Sequence, residues 1–187
     1  MRSLLLGGLL PVLLFTVVED RYGTLVGLVV GMIYGVCEII FEKWKYKKVE
    51  RMTWFGNGLL LFFGGISLLT ADGVWFKLQP AIIELAMAGF LFGSWIMKKP
   101  FLWTMANSQG AFVDFPVEGQ KAIEKGFSGI TMRLSVFFLM HAVLATHAAF
   151  YWSSKAWMLL KGVGFTVSML VYLFLEVILL RKSLQSS

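Results

Sequence analysis

Apolar residues run through the sequence in long blocks separated by short polar connections. A helix needs about 20 mostly apolar residues to cross the hydrocarbon core of a bilayer. None of the blocks has the alternating pattern of a transmembrane β-strand. The pattern therefore predicts an all-α, polytopic membrane protein, with one domain over residues 1–187 and one bundle of six helices. The predicted spans are about 3–18, 22–41, 53–70, 80–97, 130–152 and 157–180.

The first block is short and contains Pro11. Arg2 and the apolar residues after it resemble a signal peptide, but the charged stretch 19–22 follows with no small-residue cleavage site. We expect a retained first helix. If this helix lies in the interface instead, the protein has five spans and its N-terminus lies on the opposite side of the membrane.

Composition supports the membrane assignment. The chain is 58% hydrophobic and 15% charged, whereas soluble domains have about 25% charged residues. The net charge of +6 does not indicate nucleic-acid binding, because the basic residues lie beside apolar spans. The single cysteine, Cys37, excludes an internal disulfide, and we expect it to be a small buried residue.

One polar segment, residues 43–53, orients the whole chain. We call its basic side chains the basic island. Cytoplasmic loops of membrane proteins are enriched in lysine and arginine. With the island inside and six spans, 13 of the 17 basic residues fall on the inner side, so both termini are predicted to be cytoplasmic. The island consists of Lys43, Lys45, Lys47, Lys48 and Arg51.

The longest polar connection runs from 98 to 129. We expect residues 100–105 to lie on the membrane surface and 110–119, which contain Pro116, to form a loop. Residues 117–127 place charged side chains on one side, which predicts a short amphipathic helix.

Three ionisable residues within the predicted spans are candidate functional residues, because burying such groups in lipid is costly. Glu84 follows Pro80 by four residues, and His147 precedes Trp152 by five. Both would lie roughly 6–8 Å below the same edge, so we expect a Glu84–His147 contact. His141 is deeper and lies about 120° from His147 around the helix, which disfavours a shared metal site.

Each of these groups also has a purely structural interpretation. His141 can be a neutral histidine hydrogen-bonded to a carbonyl or hydroxyl group, or it can lie on a proton or ion pathway. Arg133 can pair with Glu38 or Glu176, and we expect these three to form structural ion pairs or to reach the headgroups.

Glycine spacing predicts close helix packing in two spans. Gly27, Gly31 and Gly35 repeat every fourth residue in the second span, and Gly89 and Gly93 do so in the fourth. Glycines 162 and 164 are expected to loosen the start of the last span.

No motif indicates catalysis. The sequence contains no Walker loop, no HExxH and no GxSxG, and no paired acidic motif of a metal-dependent headgroup transferase. We therefore predict no enzyme activity, no cofactor and no metal site.

Five short motifs at helix boundaries resemble the intracellular septation protein A (YciB/IspZ) family of bacterial inner-membrane proteins. Residues 48–53 read KVERMT, 63–68 read FGGISL, and 76–80 read FKLQP. Residues 95–101 read WIMKKPF, and W-x-x-x-K-x-x-G begins at Trp157. Ala145 stands where that family usually has asparagine, and the connection after Lys98 is longer, which is typical of a divergent member.

The resemblance implies a non-catalytic role in septation and cell-envelope integrity. The partners that the resemblance implies are membrane proteins of division or elongation. Membrane lipids and a second copy of the chain are the other expected partners. The alternative is a small-solute, ion or proton transporter or channel that uses Glu84, His141 and His147. A scaffold should tolerate His141→Phe and fail when the basic island is neutralised, and a transporter should do the reverse.

Overall fold

A computed structural model describes residues 10–110, 112 and 116–185, and these residues form helices and turns with no strand. A π-helical turn at Leu160–Gly164 joins the last two helices. The helices are α1 (Leu10–Tyr22), α2 (Thr24–Tyr46), α3 (Arg51–Leu69), α4 (Val74–Ile96), α5 (Phe101–Ser108), α6 (Val117–Tyr151), α7 (Ser154–Leu159) and α8 (Phe165–Gln185).

Within the described part of the chain, four helical segments are long and apolar enough to cross a membrane: Thr24–Tyr46, Val74–Ile96, Gly119–Tyr151 and Ser154–Leu179. Thr53–Leu69 is a shorter apolar helix. The prediction of an all-α, polytopic membrane protein is confirmed. Residues 3–9 of the first predicted span lie outside the described part of the chain, so the choice between five and six spans stays a prediction.

Two helix boundaries differ from the predictions. Helix α4 begins at Val74, so that Pro80 lies inside it rather than at its start. Helix α6 begins at Val117 and continues to Tyr151. The separate amphipathic helix predicted for 117–127 is therefore wrong. Because no proline follows Pro116 in this stretch, nothing interrupts the helix, and its polar first turns continue into the apolar span.

The chain divides into two compact units, and the prediction of one domain stays a prediction. One unit comprises Met1–Ala81 and Ala145–Val163, and the other comprises Ile82–Leu144 and Gly164–Ser187. In the first unit Phe15, Phe76 and Trp157 form an aromatic core. Trp157 is 1% exposed and donates its indole N–H to the Lys77 carbonyl oxygen at 3.1 Å, so this buried polar group has a partner.

Glycines bring other elements close to α2. A Cβ atom at Gly27 would lie 2.8 Å from the Phe15 carbonyl oxygen, and one at Gly35 would lie 2.9 Å from the Asn57 side-chain oxygen. Cβ atoms at Gly89 and Gly93 would meet no atom of the described residues within 4 Å. Close packing at glycine is thus confirmed in α2, whereas in α4 the same spacing brings none of the described residues close.

Cys37 is exposed, so the expectation that it is buried is wrong. It follows Gly35 by two residues, which turns its side chain about 200° around the helix, away from the packed glycine face.

We expect Gly27→Ala to destabilise the protein and Gly89→Ala to leave it unchanged or slightly more stable. The new methyl group at 27 would press on the backbone of α1, which cannot rotate away, at a cost of about 1–3 kcal/mol. At 89 alanine has space and the better helix propensity, by up to about 1 kcal/mol. Unfolding of both variants in detergent measures the difference, and equal stabilities would contradict the close approach of α1 and α2.

Candidate functional site

Glu84 and His141 form a buried pair in the second unit. The Nδ1 atom of His141 lies 3.2 Å from each carboxylate oxygen of Glu84. The side chain of Glu84 is 9% exposed and that of His141 is 6% exposed. Glu84 follows the first residue of α4 by ten positions, and His141 precedes the last residue of α6 by ten. Each residue therefore lies about 15 Å from that end of its helix.

The expected Glu84–His147 contact is corrected by this pairing. That expectation placed the start of the helix at Pro80, whereas α4 begins at Val74 and Glu84 is correspondingly deeper. His147 precedes the end of α6 by only four residues, or about 6 Å. It is exposed and packs its ring against Tyr151, with the ring centroids 4.8 Å apart.

Aromatic rings enclose the imidazole of His141. The ring of Phe165 approaches it edge-on, with centroids 4.9 Å apart, and the ring of Phe137 lies 6.0 Å away. In this apolar setting the hydrogen bond between Nδ1 of His141 and the carboxyl group of Glu84 offsets part of the cost of burying both groups. The arrangement can hold a proton between a carboxylate and an imidazole.

A second pair joins α6 to α8. Arg133 contacts both carboxylate oxygens of Glu176, through Nε and a terminal guanidinium nitrogen, each at 2.6 Å. The carboxylate side chain is 7% exposed and the arginine side chain 45%. Glu38, the other partner considered for Arg133, instead accepts a hydrogen bond from Asn57 at 2.9 Å. The expectation that Arg133 forms an ion pair is confirmed, with Glu176 as the partner.

Each pair contributes one residue to the same face of α6. We call this face the α6 stripe, and it consists of Arg133, Phe137 and His141. The three residues are four positions apart, so they line up over about 12 Å. The ring of Phe137 contacts Tyr172 of α8 at 5.1 Å between centroids. The i, i+4, i+8 spacing is visible in the sequence and could have revealed this face.

The basic island extends from the last turn of α2, through the connection, to the first residue of α3, and all five of its side chains are exposed. Lys47 ends α2 in the left-handed conformation, with φ at 55°. Glu42, which the sequence patterns did not single out, accepts hydrogen bonds from the Glu50 backbone N–H at 3.1 Å and the Thr53 hydroxyl at 3.0 Å. This carboxylate holds the island in a defined turn.

Among the described residues, no three histidine, cysteine, aspartate or glutamate side chains come together in a way that could hold a metal ion. Glu84 and His141 therefore form a pair, and the described part of the chain supplies no third ligand of these types.

Comparison with protein families matches residues 3–187 to intracellular septation protein A. The chain belongs to this family. An inner membrane-spanning protein YciB from Cronobacter sakazakii is 26% identical over 168 residues, which cover 89% of each chain. The protein of the same name from Nitrosospira multiformis is 27% identical and covers 93% of this chain and 91% of its own. No solved structure matches the chain.

The family assignment agrees with the fold. Its relatives are named as inner membrane-spanning proteins, and the described helices include several that can cross a membrane. The family is named for septation rather than for an enzymatic reaction. The five sequence motifs at helix boundaries thus indicated the correct family.

Proposed function

We propose that this protein acts in septation and cell-envelope integrity as a non-catalytic protein of the bacterial inner membrane. It does so through contacts with lipids, with division or elongation proteins, or with a second copy of itself, and both termini are cytoplasmic. The family name supports the role in septation. The observation that carries the non-catalytic part is the pairing of deep ionisable groups with one another, as in the two contacts from Arg133 to Glu176. Such a pair joins α6 to α8, which is a structural role.

The basic island is the surface on which the proposal depends. Its five side chains are exposed, and Glu42 links the last turn of α2 to the start of α3 on either side of the connection. Lysine and arginine beside a membrane span attract anionic lipid, at about 1 kcal/mol each. The same charges can contact an acidic segment of a partner protein.

Complementation of a septation defect tests the proposal. In a bacterium that lacks its own copy, we expect the unaltered chain to restore normal cell length. A variant with the five island residues changed to glutamine should fail. The double variant Glu84→Met with His141→Phe should still complement, because it replaces the buried pair with apolar side chains of similar size.

The charges of the island also help to orient the protein in the membrane. A failure to complement could therefore come from a lost contact or from an inverted topology, and these two causes must be distinguished. A matched variant carries arginine at the four lysine positions and should complement, and a reporter fused to the C-terminus should show the same side for all variants. Failure of the Glu84–His141 double variant together with success of the neutral island variant would contradict the proposal.

A transporter or channel for protons, ions or small solutes is the second candidate function. The mid-helix Glu84–His141 pair favours it, because ionisable residues at this depth often mark a pathway. His147, near the end of α6, is exposed and packs against the ring of Tyr151. For this function, the double variant Glu84→Met with His141→Phe should fail to complement, and the variant with a neutral island should succeed.

A further inference from the structure

An open cavity of about 580 Å³ in the second unit lies between the end of α4 and the first turns of α6. Three lysines line it, Lys98, Lys121 and Lys125, together with one acid, Glu124. No lysine of the three has an ion pair with a carboxylate of the described residues. With three lysines and one glutamate, the described lining of the cavity carries a net positive charge.

The cavity also has an apolar border at the end of a membrane-spanning helix. Trp95 and Ile96, in the last turn of α4, line it with Pro100. Ile96 is 58% exposed and Trp95 37%. Tryptophan at the end of a span marks the level of the lipid headgroups. A molecule that fits this cavity carries negative charge at one end and apolar groups at the other.

Side-chain and backbone contacts hold the α4–α5 wall in place. Ser94 accepts a hydrogen bond from the Phe101 backbone N–H at 3.2 Å. The ring of Phe101 packs on Phe90, with centroids 5.0 Å apart, and Trp103 of α5 packs on Phe127 of α6 at 6.2 Å. A site formed before its ligand arrives loses less entropy on binding.

We propose that this cavity binds the phosphate group of an anionic glycerophospholipid. Lys98, Lys121 and Lys125 surround the phosphate, the Ser128 hydroxyl donates to it, and the acyl chains lie along the apolar end of α4. The volume lies within the range of about 300–1,000 Å³ typical of small-molecule sites. Free phosphate has the same charge but no apolar group that could contact the border formed by Trp95, Ile96 and Pro100, and this difference favours the lipid.

The cavity would be one site of the lipid contacts that belong to the proposed function. Its test uses purified full-length protein, so a failure here leaves the septation result unaffected. Lipid retention is measured by native mass spectrometry of protein titrated with phosphatidylglycerol or phosphatidylcholine. We expect Lys121→Gln with Lys125→Gln to weaken phosphatidylglycerol binding by about tenfold or more, since each lysine near an anionic headgroup contributes on the order of 1 kcal/mol.

The matched control is Lys43→Gln with Lys48→Gln, which removes the same charge from the basic island. Because those side chains lie outside the cavity, we expect this control to weaken phosphatidylglycerol retention less than the Lys121 and Lys125 variant does. Glu124→Gln should strengthen binding, an increase that a folding defect cannot mimic. Equal losses for the two lysine pairs, or equal retention of phosphatidylcholine, would overturn the proposal. Displacement of the lipid by an equal concentration of inorganic phosphate would overturn the lipid assignment.

Discussion

Replacing Arg133 with methionine lowers the free energy of unfolding by about 3 kcal/mol, near the lower end of the range for breaking a buried ion pair. The carboxylate of Glu176 is 7% exposed and would lose both of its 2.6 Å contacts with the guanidinium group. The arginine is 45% exposed, so water already weakens the pair, and this places the effect at the lower end. Unfolding in detergent, followed by circular dichroism, measures the loss.

Two variants separate charge from geometry at this pair. Arg133→Lys keeps the positive charge but cannot make two parallel hydrogen bonds, so its stability should fall between the original protein and the methionine variant. The double variant Arg133→Met with Glu176→Met removes both charges and should recover most of the loss. If the single methionine variant is as stable as the original protein, the pair contributes nothing to stability.

Replacing His141 with leucine has the second large effect, a loss of about 3 kcal/mol, because it removes the imidazole from the buried carboxyl group of Glu84. The double variant Glu84→Met with His141→Leu should be more stable than the sum of the single losses implies, by at least about 1 kcal/mol. Both free energies come from the same detergent unfolding experiment.

His147→Leu is the matched control for this cycle. It makes the same chemical change six residues further along α6, at an exposed position, and should alter stability by less than about 0.5 kcal/mol. If the losses of unfolding free energy for the Glu84 and His141 variants are strictly additive, the 3.2 Å contact contributes nothing to stability.

The two pairs support one interpretation of α6. Arg133 and His141 lie about 12 Å apart on the α6 stripe, with Phe137 between them. Phe137 also contacts Tyr172 of α8, and Phe165 of α8 contacts His141. We infer that the stripe joins α6 to α8, which belongs to the span Ser154–Leu179, only 6% of which is buried.

Much of the candidate site could be predicted from residue type and helix position. Arg133 and Glu176 were identified as possible partners because both lie near the same end of antiparallel spans. Glu84 was singled out because a carboxylate in an apolar run is costly. Its partner could not be predicted, since the depth of Glu84 depends on where α4 begins, and Pro80 suggested a start six residues too late.

The sequence by itself determined the all-α membrane fold, because a chain that is 58% hydrophobic must satisfy its backbone hydrogen bonds within helices when it lies in lipid. Its motifs at helix boundaries also indicated the family. Only the tertiary structure decided that Glu84 binds His141 and that Gly27 faces the Phe15 carbonyl oxygen. Such contacts depend on depth and rotation of packed helices, and a shift of one residue turns a side chain by about 100°.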